Sequence, residues 1–208
     1  MTDAAATGPA ATGPAATGAT AGGPAPLADE PASPTVTTSE VVFEGAVWNV
    51  KRDTVDYNGK PMVREYVAHT GAVAVLAVDD EQRVLVIQQY RHPIRTRDWE
   101  LPAGLLDAEG ESKLDAAKRE LAEEADLQAT TWDELVSFHT TPGGNDEMVT
   151  VFRATGVSAT SDAFERSDEE ADIEKRWVSL DEIVDGVLAG RLHNSILSIA
   201  ALAAVASR

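Results

Sequence analysis

Cysteine is absent from this chain of 208 residues, so disulfides and thiolate metal sites are excluded, and any metal must be held by oxygen ligands or by the four histidines. That favours a hard cation such as magnesium or manganese. Basic residues are also scarce: 17 Lys and Arg face 35 Asp and Glu, a formal charge of −18. Such a chain is a poor partner for nucleic acid or an anionic membrane surface, although a few arginines can still gather round a small anion. No stretch is long and apolar enough to span a bilayer, and no basic region followed by an apolar run opens the sequence. The expectation is a soluble cytoplasmic protein with neither nucleic-acid nor membrane partner. Large side chains are nearly missing from residues 1–38, where "ATGPA" occurs at Ala6–Ala10 and again at Ala11–Ala15. A segment with so little to bury cannot offset its ordering entropy and is expected to be a disordered, low-complexity tail.

What is present suffices for one main core, since 43% of the residues are hydrophobic. Residues 39–70 contain strand-like runs around Asn58-Gly59, a pair suited to a two-residue hairpin turn, and are read as an antiparallel meander of about three strands. From residue 71 to 208 the pattern changes to a mixture. "GAVAVLAV" and "RVLVIQQY" fit the interior of a sheet. "ELVSFHT", "MVTVFRATGV" and "KRWVS" give further strands, and "SLDEIVDGVLAG" and "NSILSIAALAAVAS" give two closing helices, Gly190 marking the stop of the first. Strands before, between and after helices predict an α/β sandwich with helices covering a mixed sheet. The last helix is apolar on several faces, through Ile196, Leu197, Ile199, Leu202 and Val205, and is expected to be buried by its own core or by a partner subunit.

One helix is acidic where acid is costly. In "EGESKLDAAKRELAEEADL", Ser112 is an N-cap candidate with Asp115 three residues on, and Leu114, Ala117, Leu121 and Ala125 form an apolar stripe. Glu120 and Glu124, four apart, share a flank, and Glu123 lies one step nearer solvent. Like charges at this spacing cost roughly 0.2–0.5 kcal/mol in an isolated helix. Two compensations are open: Arg119, pairing with Glu123 on a solvated face, or a divalent cation caged by carboxylates and a backbone carbonyl.

The register of Glu111, Arg119, Glu120, Leu121, Glu123, Glu124 and the aliphatic Leu127 resembles the signature box of the Nudix hydrolases, which cleave nucleoside diphosphates linked to another moiety. The resemblance implies a Nudix-type α/β/α sandwich over 71–208, preceded by the antiparallel meander. It also implies that Glu120 and Glu124 bind the metal, with Glu123 close by, and that Arg119 orients these carboxylates. The backbone carbonyl of Ala103 becomes a further ligand, and Glu111 supports the loop. Two positions depart from the pattern. Gly104 stands seven residues before Glu111, one more than usual, and Asp126 replaces the glycine before the last aliphatic, where a left-handed backbone suits glycine better.

Beyond the box, "VREYVAHTGAVAVLAVDD", "VLVIQQYRHPI", "WELPAGLLD" and "TTPGGNDE" are similar to the ADP-ribose pyrophosphatase branch, whose members hydrolyse ADP-ribose to AMP and ribose 5-phosphate. Attack on a pyrophosphate calls for cationic help at the phosphate oxygens. Arg91 and Arg64 are candidates to clamp them, each with the alternative of an ordinary surface arginine. A general base belongs on a closing loop, and Glu147 in "TTPGGNDEM" is the candidate, the alternative being a turn acid. Trp48 is a candidate stacking surface for adenine or else a core tryptophan, and Glu100 is placed at the terminal ribose or in support of the loop. Magnesium, with manganese as the alternative, is the implied cofactor, and strand exchange between subunits in this branch implies a homodimer. Other nucleotide sugars or oxidised nucleotides remain alternative substrates, and a non-catalytic ADP-ribose binder remains an alternative of another class.

Overall fold

The structure, a computed structural model, describes residues 26–161 and 172–208. The repeats of the expected tail lie outside the described residues, and residues 26–33 carry no regular element. The folded unit runs from Pro34 to Arg208.

It opens with β1 (Thr35–Glu44), β2 (Asn49–Tyr57) and β3 (Lys60–Ala68), an antiparallel three-stranded sheet in that order. β1 begins inside the stretch read as tail. Its β-branched "TVTT" pairs with the end of β2, and the Thr37 hydroxyl donates to the Thr54 carbonyl at 2.9 Å, which draws these residues into the sheet. The β2–β3 turn is the expected one: Asn58 and Gly59 both have positive φ, 56° and 75°, and Tyr57 faces Lys60 across it.

The main body contains β4 (Ala72–Ala77), β5 (Arg83–Arg91), β6 (Thr96–Glu100), β7 (Ala103–Leu105), α1 (Lys113–Ala125), β8 (Leu127–His139), β9 (Met148–Ala159), β10 (Glu174–Ser179), α2 (Leu180–Leu188) and α3 (Ser195–Ala206). The strands form two sheets rather than one, ordered β7-β4-β9-β8 and β10-β5-β6, and the mixed character comes from the parallel pairing of β4 with β9. Every residue of β4 is buried, and its alternation serves two cores. Ala72, Ala74 and Leu76 join the cluster that includes Leu180, Ile183 and Leu197 of α2 and α3, while Val73, Val75 and Ala77 join the one that includes Ala117 and Leu121 of α1. The strands are thus layered between α1 on one face and α2 with α3 on the other, the expected α/β/α sandwich. Each fully buried Val or Leu contributes about 1.5–3 kcal/mol, so Val73, Val75 and Leu76 anchor this two-sided strand.

α3 departs from the expectation of burial on several faces. Its packed stripe is Leu197, Ala200, Ala201 and Ala204, at helical spacing, while Leu202 and Val205 are 43% and 38% exposed. Leu197 and three alanines make the close approach to the core, Ile196 packs beside them, and Leu202 and Val205 face outward. No helix among the described residues is long and apolar enough to cross a membrane.

Candidate functional site

α1 begins as its sequence predicts: the Asp115 N–H donates to the Ser112 hydroxyl oxygen at 3.1 Å, and that hydroxyl donates to the Asp115 carboxylate at 2.7 Å. It ends at Asp126, which takes the left-handed conformation a glycine would take (φ 60°, ψ 34°). Lys175 from β10 pairs with the Asp126 carboxylate at 2.7 Å and donates to the Ala125 carbonyl at 3.2 Å, so a tertiary ion pair and a capped carbonyl offset the strain of a side chain there. The departure from the family pattern leaves the helix exit intact.

Between these caps, Leu121 and the alanines turn toward the sheet and carry Glu120 and Glu124 to buried positions, 9% and 5% exposed. Arg119 is the hub of the cluster. Its Nε and Nη2 donate to the two oxygens of Glu111, both at 3.0 Å, and its Nη1 donates to Glu120 at 2.5 Å and Glu123 at 3.1 Å. The two compensations left open by the sequence therefore do not exclude each other: one guanidinium answers to three carboxylates, and buried Glu124 lies one turn beyond Glu120. The paired bonds to Glu111, then the charge of Glu120 and the bonds to Glu120 and Glu123, push the guanidinium further above its ordinary range. Those same Arg119 hydrogen bonds hold the Glu111 carboxyl below its ordinary value.

Because the folded-state value of Glu111 is depressed, the pair stabilises the fold above the ordinary carboxylate value of about 4.3, and that contribution disappears as pH falls through the lowered one. In a carboxyl-carbon NMR titration Glu111 is expected to ionise below the usual glutamate range, and Arg119→Ala is expected to return it to that range. A Glu111 that titrates identically in both proteins contradicts the hub.

Beneath α1, the short strand β7 supplies the other wall. The Ala103 N–H donates to Glu124 Oε2 at 2.9 Å, which ties the β7 edge to this carboxylate through the amide, whereas the sequence assigned Ala103 a role through its carbonyl. Gly104 lies directly under Glu120: a Cβ at this position would stand 2.0 Å from Glu120 Oε1. The glycine that opens the signature box is thus required for close approach, and its φ is not positive.

These residues suit a divalent cation in donor chemistry, being two buried all-oxygen side chains beside a backbone edge kept clear of any Cβ. Among the described residues no three acidic or histidine side chains close on one point by themselves. An ion held by Glu120 and Glu124 would therefore complete its shell with backbone, water or substrate oxygens, as magnesium commonly does.

Two other groupings contain predicted residues. Arg91, at the end of β5, makes a bidentate pair with Glu100 of β6, Nε to Oε1 and Nη2 to Oε2, both at 2.7 Å. Glu100 is 5% exposed and lies three residues before Ala103, so it fixes the Arg91 guanidinium. Glu147 sits in the loop that closes the β8–β9 hairpin. Its Oε2 accepts from the Thr140 hydroxyl at 2.5 Å, and its Oε1 lies 3.3 Å from His69 Nε2. This loop is laced to the end of β3: the Val67 N–H donates to the Gly144 carbonyl at 3.0 Å and the His69 N–H to Asp146 at 2.7 Å. Trp48 stacks on the His69 ring, centroids 4.0 Å apart and planes 19° apart, so His69 covers one of its faces. Arg64 stands apart from these groupings, exposed on β3 with its guanidinium on the Val63 carbonyl at 2.8 Å.

Sequence reasoning did not single out His69 or Thr140. Their partners, residues 48, 71 and 147, are scattered along the chain, and no local spacing announces them.

The sequence profile of the NUDIX domain matches residues 68–198. An ADP-ribose pyrophosphatase of Mycobacterium tuberculosis (strain ATCC 25618 / H37Rv) is 45% identical over 167 residues, covering 80% of this chain and 80% of that protein. A methanol dehydrogenase activator of Bacillus methanolicus is 35% identical over 163 residues, covering 78% of this chain and 87% of that protein. A crystal structure described as an ADP compounds hydrolase superposes with a TM-score of 0.71 at 20% identity, covering 86% of this chain and 96% of its own, which bears on the fold alone.

Proposed function

This chain belongs to the NUDIX domain family and is a Nudix hydrolase, and from that premise we propose that it hydrolyses the pyrophosphate of ADP-ribose to AMP and ribose 5-phosphate. The observation that carries the reading is the convergence of buried Glu120 and Glu124 on Ala103 and Gly104, with Arg119 gathering the cluster, in a chain 45% identical to a protein named for this activity.

A divalent ion in this cluster, magnesium in this reading with manganese as the alternative, supplies charge to the phosphate oxygens and acidifies water. The chain's own residues do the rest. Glu120 and Glu124 hold the ion, and Arg119 keeps Glu120 and Glu123 from splaying apart. Arg91, oriented by Glu100, brings a fixed positive charge to the pyrophosphate, and Arg64 offers a second from the meander. Glu147 takes the proton of the attacking water. One P–O bond forms, the bridging P–O bond breaks, and AMP and ribose 5-phosphate leave. The ring of Trp48, half-buried and stacked on one side by His69, offers a flat apolar surface for adenine.

The test uses the full chain with magnesium, with manganese and with chelator, on ADP-ribose, other nucleotide sugars and oxidised nucleotides, with products separated chromatographically. AMP released from ADP-ribose only with metal is the expected result. Efficient cleavage of another member of the panel with ADP-ribose left intact sinks the substrate assignment. A cytoplasmic setting belongs to the same proposal.

We also infer a homodimer formed through the meander. All ten residues of β1 are exposed, including Val36, Val41 and Phe43, and Val63 of β3 is 51% exposed. An apolar strand face of this kind marks an interaction surface. Light scattering on the eluting protein is expected to read twice the chain mass, and Phe43→Glu to shift it toward a single chain. A monomer at micromolar concentration refutes the dimer and leaves the chemistry standing.

A further inference from the structure

The His69 ring is held from several directions. Its Nδ1 accepts the Gly71 N–H at 3.0 Å, its plane stacks on Trp48 at 4.0 Å between centroids, and its backbone N–H is tied to Asp146. Its Nε2 faces Glu147 Oε1 at 3.3 Å, and the two side chains are only 8% and 17% exposed. A ring nitrogen that accepts an amide proton carries none of its own, so the ring proton resides on Nε2 and points at the carboxylate. The other oxygen of Glu147 is held by Thr140. Both oxygens of a side chain on a glycine-bearing loop are therefore anchored.

We infer that His69 is a positioning residue for hydrolysis, donating its Nε2 proton to Glu147 so that the carboxylate is aimed before substrate arrives; this rests on Glu147 being the base. The inventory of contacts supports the direction of action. Gly71 and Trp48 hold the ring, and the ring holds Glu147. Without the donor, the carboxylate keeps only Thr140 and samples other rotamers, which wastes orientation that a proton transfer needs.

Two replacements separate aiming from mere packing. Asn at position 69 can still accept the Gly71 N–H but is too short to reach Glu147. Gln can reach Glu147 with an amide N–H. In the full chain acting on ADP-ribose, His69→Asn is expected to lower kcat on the order of tenfold with little change in KM or Tm, and His69→Gln to recover most of the loss. In a Glu147→Gln background, itself down about a hundredfold, His69→Asn is expected to add nothing, because its path to the reaction is gone. Nitrogen-15 spectra of the unmodified chain should show a pyridine-type Nδ1 and a pyrrole-type Nε2.

A reversed tautomer overturns the inference even where the variants fold poorly. So does a His69→Asn effect confined to KM, one that multiplies with that of Glu147→Gln, or a fully active His69→Asn beside an impaired Glu147→Gln. If Glu147→Gln is itself fully active, the assignment of the base fails and takes this inference with it, an outcome the single variants distinguish from the others.

Discussion

Glu124→Gln is expected to lower the rate of ADP-ribose hydrolysis about a thousandfold, equivalent to ~4 kcal/mol of transition-state stabilisation, while Tm stays level or rises. The two halves of this result have one cause. Glu124 is 5% exposed, and a carboxylate at such a position is costly to bury, so a neutral amide of the same shape relieves the folded state. The glutamine carbonyl still accepts the Ala103 N–H, so the β7 edge keeps its partner. What is lost is the charge with which the side chain competes for a cation. Charged groups kept at a stability cost mark the places where activity sets the sequence. The measurement is AMP release under saturating magnesium beside thermal unfolding, with metal binding followed by calorimetry. Rate and stability falling together would make Glu124 a structural residue. A parent chain with no rate to lose would favour the binding protein over the enzyme.

The same distinction between charge and shape explains what was legible in the sequence. β4 was legible because an unbroken apolar run with one residue per face must be buried on both sides, and the two cores divide it accordingly. The Asn58-Gly59 turn and the N-cap of α1 were legible because they are local, each decided within four residues, whereas the helix exit at Asp126 depends on Lys175 from β10. β6 and β7 were not: "TRDWE" and "AGL" have no usable period, and they become strands only because β5 and β4 offer them edges. In α3 five large side chains drew attention, yet only Leu197 of them is fully buried, and Ala200, Ala201 and Ala204 complete the packed face.

The site divides in the same way. Arg119 and its glutamates were readable as spacing on one helix, and the structure adds that Glu111, eight residues away, takes two of the arginine's bonds. Arg91 and Glu100 were each singled out separately, and their bidentate pairing shows that one serves by fixing the other. Trp48, His69 and Glu147 come from three distant parts of the chain, so their alignment depends on β3 lying against the 140–147 loop. The hairpin and the meander must both form before the carboxylate is aimed.

Gly104→Ala is expected to depress the rate almost as far as loss of a metal-holding carboxylate, on the order of a hundredfold to a thousandfold, although it adds a single methyl group. The reason is distance. A Cβ at 104 stands 2.0 Å from Glu120 Oε1 and 2.1 Å from its Cδ, far inside van der Waals contact, so either the carboxylate or β7 must shift. The carboxylate is the freer of the two, because β7 is pinned by its pairing with β4 and by Glu124 on the Ala103 amide. Glu120 is therefore expected to rotate away, pulling on Arg119 and through it on Glu111 and Glu123. The backbone itself gives no cause for the loss, since Gly104 has no positive φ that alanine would resist. Shortening the neighbour isolates the mechanism: Gly104→Ala combined with Glu120→Asp withdraws the carboxylate by one methylene and is expected to be more active than Gly104→Ala alone. If the double variant is instead the product of two independent losses, the methyl group acts on β7 and not on Glu120, and the glycine of this signature is there for its backbone after all.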